Sequence, residues 1–165
     1  MTLVLGIDPG TAITGYGLVR EIAGGSLEMV AYGTIQTSSQ LEAHKRLLKL
    51  YKEIKDIILL HHPDSCAVEK LFFQRNVSTA IAVGQARGVV MLAIAEADLD
   101  VYEYTPNEVK QAVSGYGMAQ KKQVQEMVRT ILILPEIPKP DDAADALAIA
   151  VTHLITWRFQ SCPGL

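Results

Sequence analysis

The chain has 165 residues, 49% of them hydrophobic and 20% charged, with a net charge of −3 and a pI near 5.8. That length suits one domain with a sizeable core, and that composition excludes a disordered polar chain. Asp8 interrupts the first apolar run before a signal core can form, and the most membrane-like stretch, Val77 to Ala97, carries Gln85 and Arg87 near its middle, so a cytoplasmic protein is the simplest reading.

Leu3 to Asp8 reads as a strand that runs into an Asp-Pro-Gly-Thr turn. Tyr16 to Arg20 alternates and forms a second strand. Gly24-Gly25-Ser26 turns the chain into a third, Leu27 to Gln36. Short connections between the three predict an antiparallel meander. Ser38 and Ser39 are candidate N-caps for a helix whose apolar face is Leu47, Leu50, Tyr51, Ile54, Ile57 and Ile58. Its other face pairs Glu42 with Arg46, Lys49 with Glu53 and Lys52 with Asp56, and reads as solvated. Pro63 ends it. Ser65 to Glu69 is a fourth strand, apolar until its last residue, and Lys70 to Asn76 is a loop.

Val77 to Ala97 is apolar nearly all round and must be covered on more than one side. Ala80, Gly84 and Gly88 form a small-residue stripe along it, where another element can approach closely. Val101 to Tyr104 is a fifth strand. Thr105-Pro106-Asn107-Glu108 is a capping box with proline at the first helical position. Gly115-Tyr116-Gly117 breaks that helix, Gln120 to Leu134 forms the next, and a loop stiffened by Pro135, Pro138 and Pro140 leads to a last helix, Asp141 to Phe159. Three antiparallel strands followed by helix-linked strands predict a mixed sheet with helices on its faces.

Charge is unevenly spread. Residues 70–95 hold Lys70, Arg75 and Arg87 and no acid; residues 110–125 hold Lys110, Lys121 and Lys122 and no acid. Two such windows in an acidic chain can build a local cationic surface, although apolar helices are also simply poor in acids. Cys66 sits in an apolar run and reads as a small core residue, and Cys162 lies in the tail. Neither cysteines nor histidines (His44, His61, His62, His153) show metal-ligand spacing.

Four acids stand out. Asp8 and Glu69 each close an apolar strand, so both carboxylates sit at the rim of the core, where an unpaired acid is costly. Asp142 and Asp145 lie three apart at the start of the last helix and share a face. Asp8 can serve as a turn former, and Asp141 or Asp142 as an N-cap; Glu69 and Asp145 have no such role. Together they suggest an all-oxygen site for a hard cation such as Mg²⁺ or Mn²⁺, which in pairs serve phosphodiester hydrolysis.

Leu5-Gly6-Ile7-Asp8-Pro9-Gly10-Thr11 with Thr14-Gly15-Tyr16-Gly17 resembles the opening of the RuvC Holliday junction resolvase family. So do Val68-Glu69, Gly84-Gln85-Ala86-Arg87-Gly88, Val109-Lys110-Gln111 and Asp142-Ala143-Ala144-Asp145-Ala146-Leu147-Ala148 with Thr152-His153, and the match covers essentially the whole chain. Asp-Pro-Gly-Thr alone also resembles the phosphate turn of actin-like ATPases and sugar kinases; the ordered set is specific. The resemblance implies an α/β, RNase H-like fold in residues 1–165, with a mixed five-stranded sheet and helices on both faces. It implies a homodimer that resolves four-way DNA junctions in recombination and repair by two symmetric nicks, leaving 5′-phosphate and 3′-hydroxyl ends. It also implies the branch-migration proteins RuvA and RuvB as partners. By it, Asp8, Glu69, Asp142 and Asp145 are the catalytic acids and hold the Mg²⁺, two ions per site, with Mn²⁺ able to substitute. Phe72 is the aromatic that stacks on bases at the opened crossover, with Arg75 and Asn76 of the same loop on DNA, and Lys110 and Lys121 contact phosphates. A core position beside Phe73 is the plainer role for Phe72, but the polar Gln74-Arg75-Asn76 that follows favours exposure. After the last helix only Arg158 is basic, which leaves open any contact that relatives make through a longer basic tail.

Three other functions fit parts of this pattern. A related RNase H-like nuclease acting on RNA or other branched DNA would use the same acids. An actin-like phosphotransferase needs two such domains, for which 165 residues leave no room. A non-catalytic dimeric DNA-binding module has no use for the acid set.

Overall fold

The computed structural model describes residues 1–70 and 77–161, with no side-chain description at 77–79 or 159–161. Five strands, β1 (Leu3–Asp8), β2 (Ile13–Glu21), β3 (Leu27–Gln36), β4 (Ser65–Glu69) and β5 (Asp100–Tyr104), form one sheet in the order β3-β2-β1-β4-β5. The first three are antiparallel neighbours, and β1–β4 and β4–β5 run parallel. This is the expected mixed sheet. The second strand is longer at both ends than its alternating residues indicate, because its pairing with β3 continues from Ile13↔Gln36 to Glu21↔Leu27 through a register shift at Leu18/Val19.

Alternation along the strands sorts the core into two layers. Leu3, Leu5 and Ile7 of β1 and Cys66 and Val68 of β4 join Leu50, Ile54 and Ile58 of α1 (Ala43–His61) and Ala86, Val90, Ala93 and Ile94 of α2 (Val77–Glu96). Val4 and Ala67, of opposite parity, join α3 (Pro106–Ser114), α4 (Lys121–Ile131) and α5 (Asp141–Ser161). Each fully buried leucine, isoleucine or valine contributes roughly 1.5–3 kcal/mol. Cys66 is one of these core residues, as expected, and burial pushes its thiol up to about 12. Among the described residues no helix is long and apolar enough to cross a membrane.

Local signals set most boundaries. Thr105 caps α3, accepting from the Glu108 amide at 3.1 Å, while the Glu108 carboxylate accepts from the Thr105 amide at 2.7 Å. Gly115, at φ 74°, closes that helix in the left-handed conformation that glycine adopts freely. Three expectations are corrected. Ser38 does not cap α1: its hydroxyl accepts from the Gln40 amide in a separate turn, and the helix starts at Ala43. Arg46 does not pair with Glu42; it donates to the Thr37 hydroxyl and the Thr11 carbonyl, tying the helix start to the turn after β1. Nor does α4 reach Leu134, since Ile133 turns to φ 52°.

Candidate active site

The strand pattern places the first two acids. β1 and β4 are parallel with Val4 opposite Ser65 and Ile7 opposite Val68, so their last residues, Asp8 and Glu69, fall side by side. Asp8 has the parity of Val4 and Glu69 that of Ala67, which turns both carboxylates toward the α5 layer. Both stand at the carboxyl ends of parallel strands, where ligands of open α/β sheets bind.

Three glycines bring the other two acids to them. A Cβ on Gly6 would lie 2.1 Å from the Ala146 carbonyl, one on Gly17 2.8 Å from Leu147 atoms, and one on Gly15 1.9 Å from the Asp142 carbonyl. Only residues without a side chain let α5 ride this close to β1 and β2. Gly15 pairs with Asp8 across the sheet, so the first turn of α5 lies over Asp8. Acid-type arguments alone missed these glycines; their signal is a repeat of glycine on one face of adjoining strands.

Electrostatics reflects the crowding. Asp8 is pushed up to about 7, first by burial and then by the charges of Glu69, Asp145 and Asp142, against a lowering by Lys121. Burial likewise raises Glu69, with Asp145 adding to it. Asp145 is raised by burial, although its hydrogen bond to Lys121 opposes this. Lys121 Nζ donates to Asp145 Oδ2 at 2.8 Å and lies 3.4 Å from Asp141 Oδ2. Burial pulls Lys121 down, but Asp145 and Asp141 outweigh it and hold the amine above the ordinary lysine value. Lys121 thus balances part of the acidic cluster. Among the described residues no three of His, Cys, Asp and Glu form a cluster close enough to hold a metal ion as they stand.

Asp141 is not the N-cap. It lies within the first turn of α5, where the Ala143 and Ala144 amides donate to the Pro140 carbonyl, and its carboxylate faces Lys121. Lys110, on α3, is half-buried, and Lys70 and Lys122 are exposed. Arg87 leaves the basic surface, because it forms an ion pair with Glu103 of β5. Phe72, Arg75 and Asn76, with the rest of 71–76, lie outside the described residues. His153 is buried, as a structural residue: its Nδ1 is 2.8 Å from the Tyr104 hydroxyl, its Nε2 3.3 Å from Ser65 Oγ, and its ring 4.2 Å from that of Tyr102.

A mixed sheet in this order, with acids ending two parallel strands beneath a helix that brings two more, defines an RNase H-like protein. Within that class the chain belongs to the crossover junction endodeoxyribonuclease RuvC family, whose profile matches residues 4–153. It is 55% identical to the crossover junction endodeoxyribonuclease RuvC of Heliobacterium modesticaldum over 157 residues, covering 94% of this chain and 96% of that one. Against the RuvC of Thermotoga maritima it is 54% identical over 155 residues, 94% of this chain and 92% of the other. The structure of T. thermophilus RuvC in complex with a Holliday junction substrate superposes with a TM-score of 0.88 at 36% identity, covering 96% of each chain.

Proposed function

We propose that this chain is the cytoplasmic, metal-dependent endonuclease that resolves four-way DNA junctions, working as a homodimer alongside the branch-migration proteins RuvA and RuvB. One observation carries the catalytic assignment: α5, seated on Gly15, brings Asp142 and Asp145 to the strand-end acids Asp8 and Glu69. The donor set is all carboxylate oxygen, which suits a hard cation. Half-buried carboxylates whose charges push one another up call for more positive charge than one lysine supplies. Asp8, Glu69, Asp142 and Asp145 would hold Mg²⁺, with Mn²⁺ able to replace it. The bound ions would activate the attacking water and stabilise the leaving oxygen. The acids themselves fix where that charge sits, at the ends of two strands and one helix, and Lys121 is placed to exchange a carboxylate for a substrate phosphate. The P–O3′ bond breaks, leaving 5′-phosphate and 3′-hydroxyl ends.

The test is nicking of a synthetic four-way junction with and without Mg²⁺, by the native chain and by Asp8→Asn. The native protein should nick only with metal. The variant should bind the junction and fail to cut it, since binding rests on phosphates and shape and cleavage on the acids. Near-normal cutting by the variant would refute the assignment.

A further inference from the structure

Beyond the acids, the described surface holds a sizeable open cleft whose lining is mostly uncharged. It has a volume of about 530 Å³ and lies between the C-terminal end of α3, the Gly115–Gly117 turn and the outer face of α4, with Ser114, Tyr116, Gln120, Lys122, Gln123 and Met127 among its walls. Tyr116 is 61% exposed at its mouth, on a turn that follows a left-handed glycine. Glu126 also lines it, but that carboxylate is held by Arg129 at 2.9 Å. From Val109 to Gln125 the chain carries no acid, so Glu126, already paired with Arg129, is the one carboxylate among the described residues that line the cleft, and Lys122 is left as its free cation among them. It adjoins the acid site through consecutive residues. Lys121 reaches Asp145, and Lys122, one position on and about 100° around the helix, lines the cleft.

We infer that this cleft is a DNA subsite: it takes the strand that continues from the cut phosphate, with Lys122 on a backbone phosphate and the Tyr116 ring stacked on an unpaired base near the crossover. This rests on the nuclease reading above and extends it to two residues that the acid set does not include. The chemistry is that of single-strand binding sites, where a lysine follows the backbone and an aromatic ring accepts any base face. An unpaired base is available where a junction opens and not within a linear duplex. The two residues therefore make different claims: Tyr116 reads the opened junction, and Lys122 reads phosphate wherever it occurs.

The experiment measures dissociation constants over a range of salt for a four-way junction and a linear duplex of the same sequence. It uses the full-length native protein, Tyr116→Ala, Tyr116→Phe and Lys122→Ala, each with a melting curve to establish folding. Tyr116→Ala should weaken junction binding about 5- to 50-fold and duplex binding little, while Tyr116→Phe stays within about twofold of native. Lys122→Ala should weaken both substrates and reduce the salt slope by about one phosphate contact. If folded Tyr116→Ala and Lys122→Ala bind both substrates as the native protein does, with an unchanged slope, the cleft serves something other than DNA, such as a protein segment, and the inference falls. If the native protein itself fails to bind or nick junctions, the nuclease reading fails instead.

Discussion

At the residue scale, two titratable groups, half-buried Asp8 and buried His153, pull stability in opposite directions. Asp8 is raised from an ordinary 3.8 to about 7, so between those values the folded chain holds a proton that the unfolded chain has lost. Its contribution falls as pH rises through that window, and at neutral pH the metal-free fold carries a cost of roughly 2–4 kcal/mol. Asp8→Asn keeps the shape and removes the charge. Metal-free Asp8→Asn should therefore melt several degrees above the native chain at pH 8 and no higher at pH 3.5. An equal melting temperature at pH 8 would show that the acid is comfortably solvated. His153 behaves in the reverse sense. Burial lowers it from 6.5 to about 4, and the neutral ring joins Ser65 to Tyr104, one nitrogen donating and the other accepting. The unfolded chain binds the extra proton between those values. Stability is thus complete above pH 6.5, falls as pH drops toward 4, and then levels off. His153→Gln should be less stable at pH 7 yet lose less on acidification; parallel losses in urea titrations at pH 7 and 4.5 would place the acid sensitivity elsewhere.

At the scale of elements, the candidate active site depends on how closely α5 lies on the sheet. Gly15→Ala places a methyl 1.9 Å from the Asp142 carbonyl, a backbone atom that must move. Overpacking of this kind costs about 1–3 kcal/mol in stability. Cleavage should fall further, by 100-fold or more, because a displacement of about 1 Å at a reacting group already costs that much. Single-turnover cutting within tenfold of native would mean the acids do not depend on this seat. The same helix start separates Asp141 from Asp142. Asp141→Asn retains a polar partner for Lys121 and should cut within about tenfold of native, on the order of 1.4 kcal/mol in the barrier. Asp142→Asn should lose far more, and the opposite ranking would move the metal ligand to Asp141. The places of the four acids in the fold were legible in the sequence, because Asp8 and Glu69 end apolar strands and Asp142 and Asp145 stand at the start of one helix. The antiparallel meander of β1, β2 and β3 was legible in their short connections, and the bounds of α3 in Thr105 and Gly115. Tertiary partners were not legible. Arg87 turns to Glu103, Arg46 to Thr11 and Thr37, and Lys121 to Asp145, each choosing a group distant in sequence over a neighbour or solvent. The α1 start escaped for a related reason: Ser38 satisfies a turn of its own before the helix begins.

At the scale of the whole molecule, α2 has one face within the core and a second with no cover from the described chain. Ala86, Val90, Ala93 and Ile94 are buried against β1, β4 and α1. On the other side Ile81, Gln85, Gly88, Leu92 and Ala95 are exposed, Ile81 by 59% and Leu92 by 60%. These five recur at steps of four, three, four and three and fall within about 80° of one another, the seam by which two helices pack side by side. Gly84 and Gly88 meet nothing within 4 Å of where a side chain would begin, so the small-residue stripe expected to admit a close neighbour has none among the described residues. A second copy about a two-fold axis is the simplest occupant, because one stripe can then face itself. It also fits the proposed chemistry, in which one set of acids cuts one strand and a four-way junction is resolved by two symmetric cuts. Charging the seam tests this without touching the acids. Ile81→Glu with Leu92→Glu should shift the protein from dimer to monomer in sedimentation at micromolar concentration while the metal-free fold keeps its circular dichroism. On a junction held in a supercoiled plasmid, where paired cuts linearise and single cuts only relax, the native protein should give linear product. The double variant should give relaxed circles, its second cut waiting on an independent encounter. A native chain that sediments as a monomer and still linearises the plasmid in one binding event would leave α2 without this role.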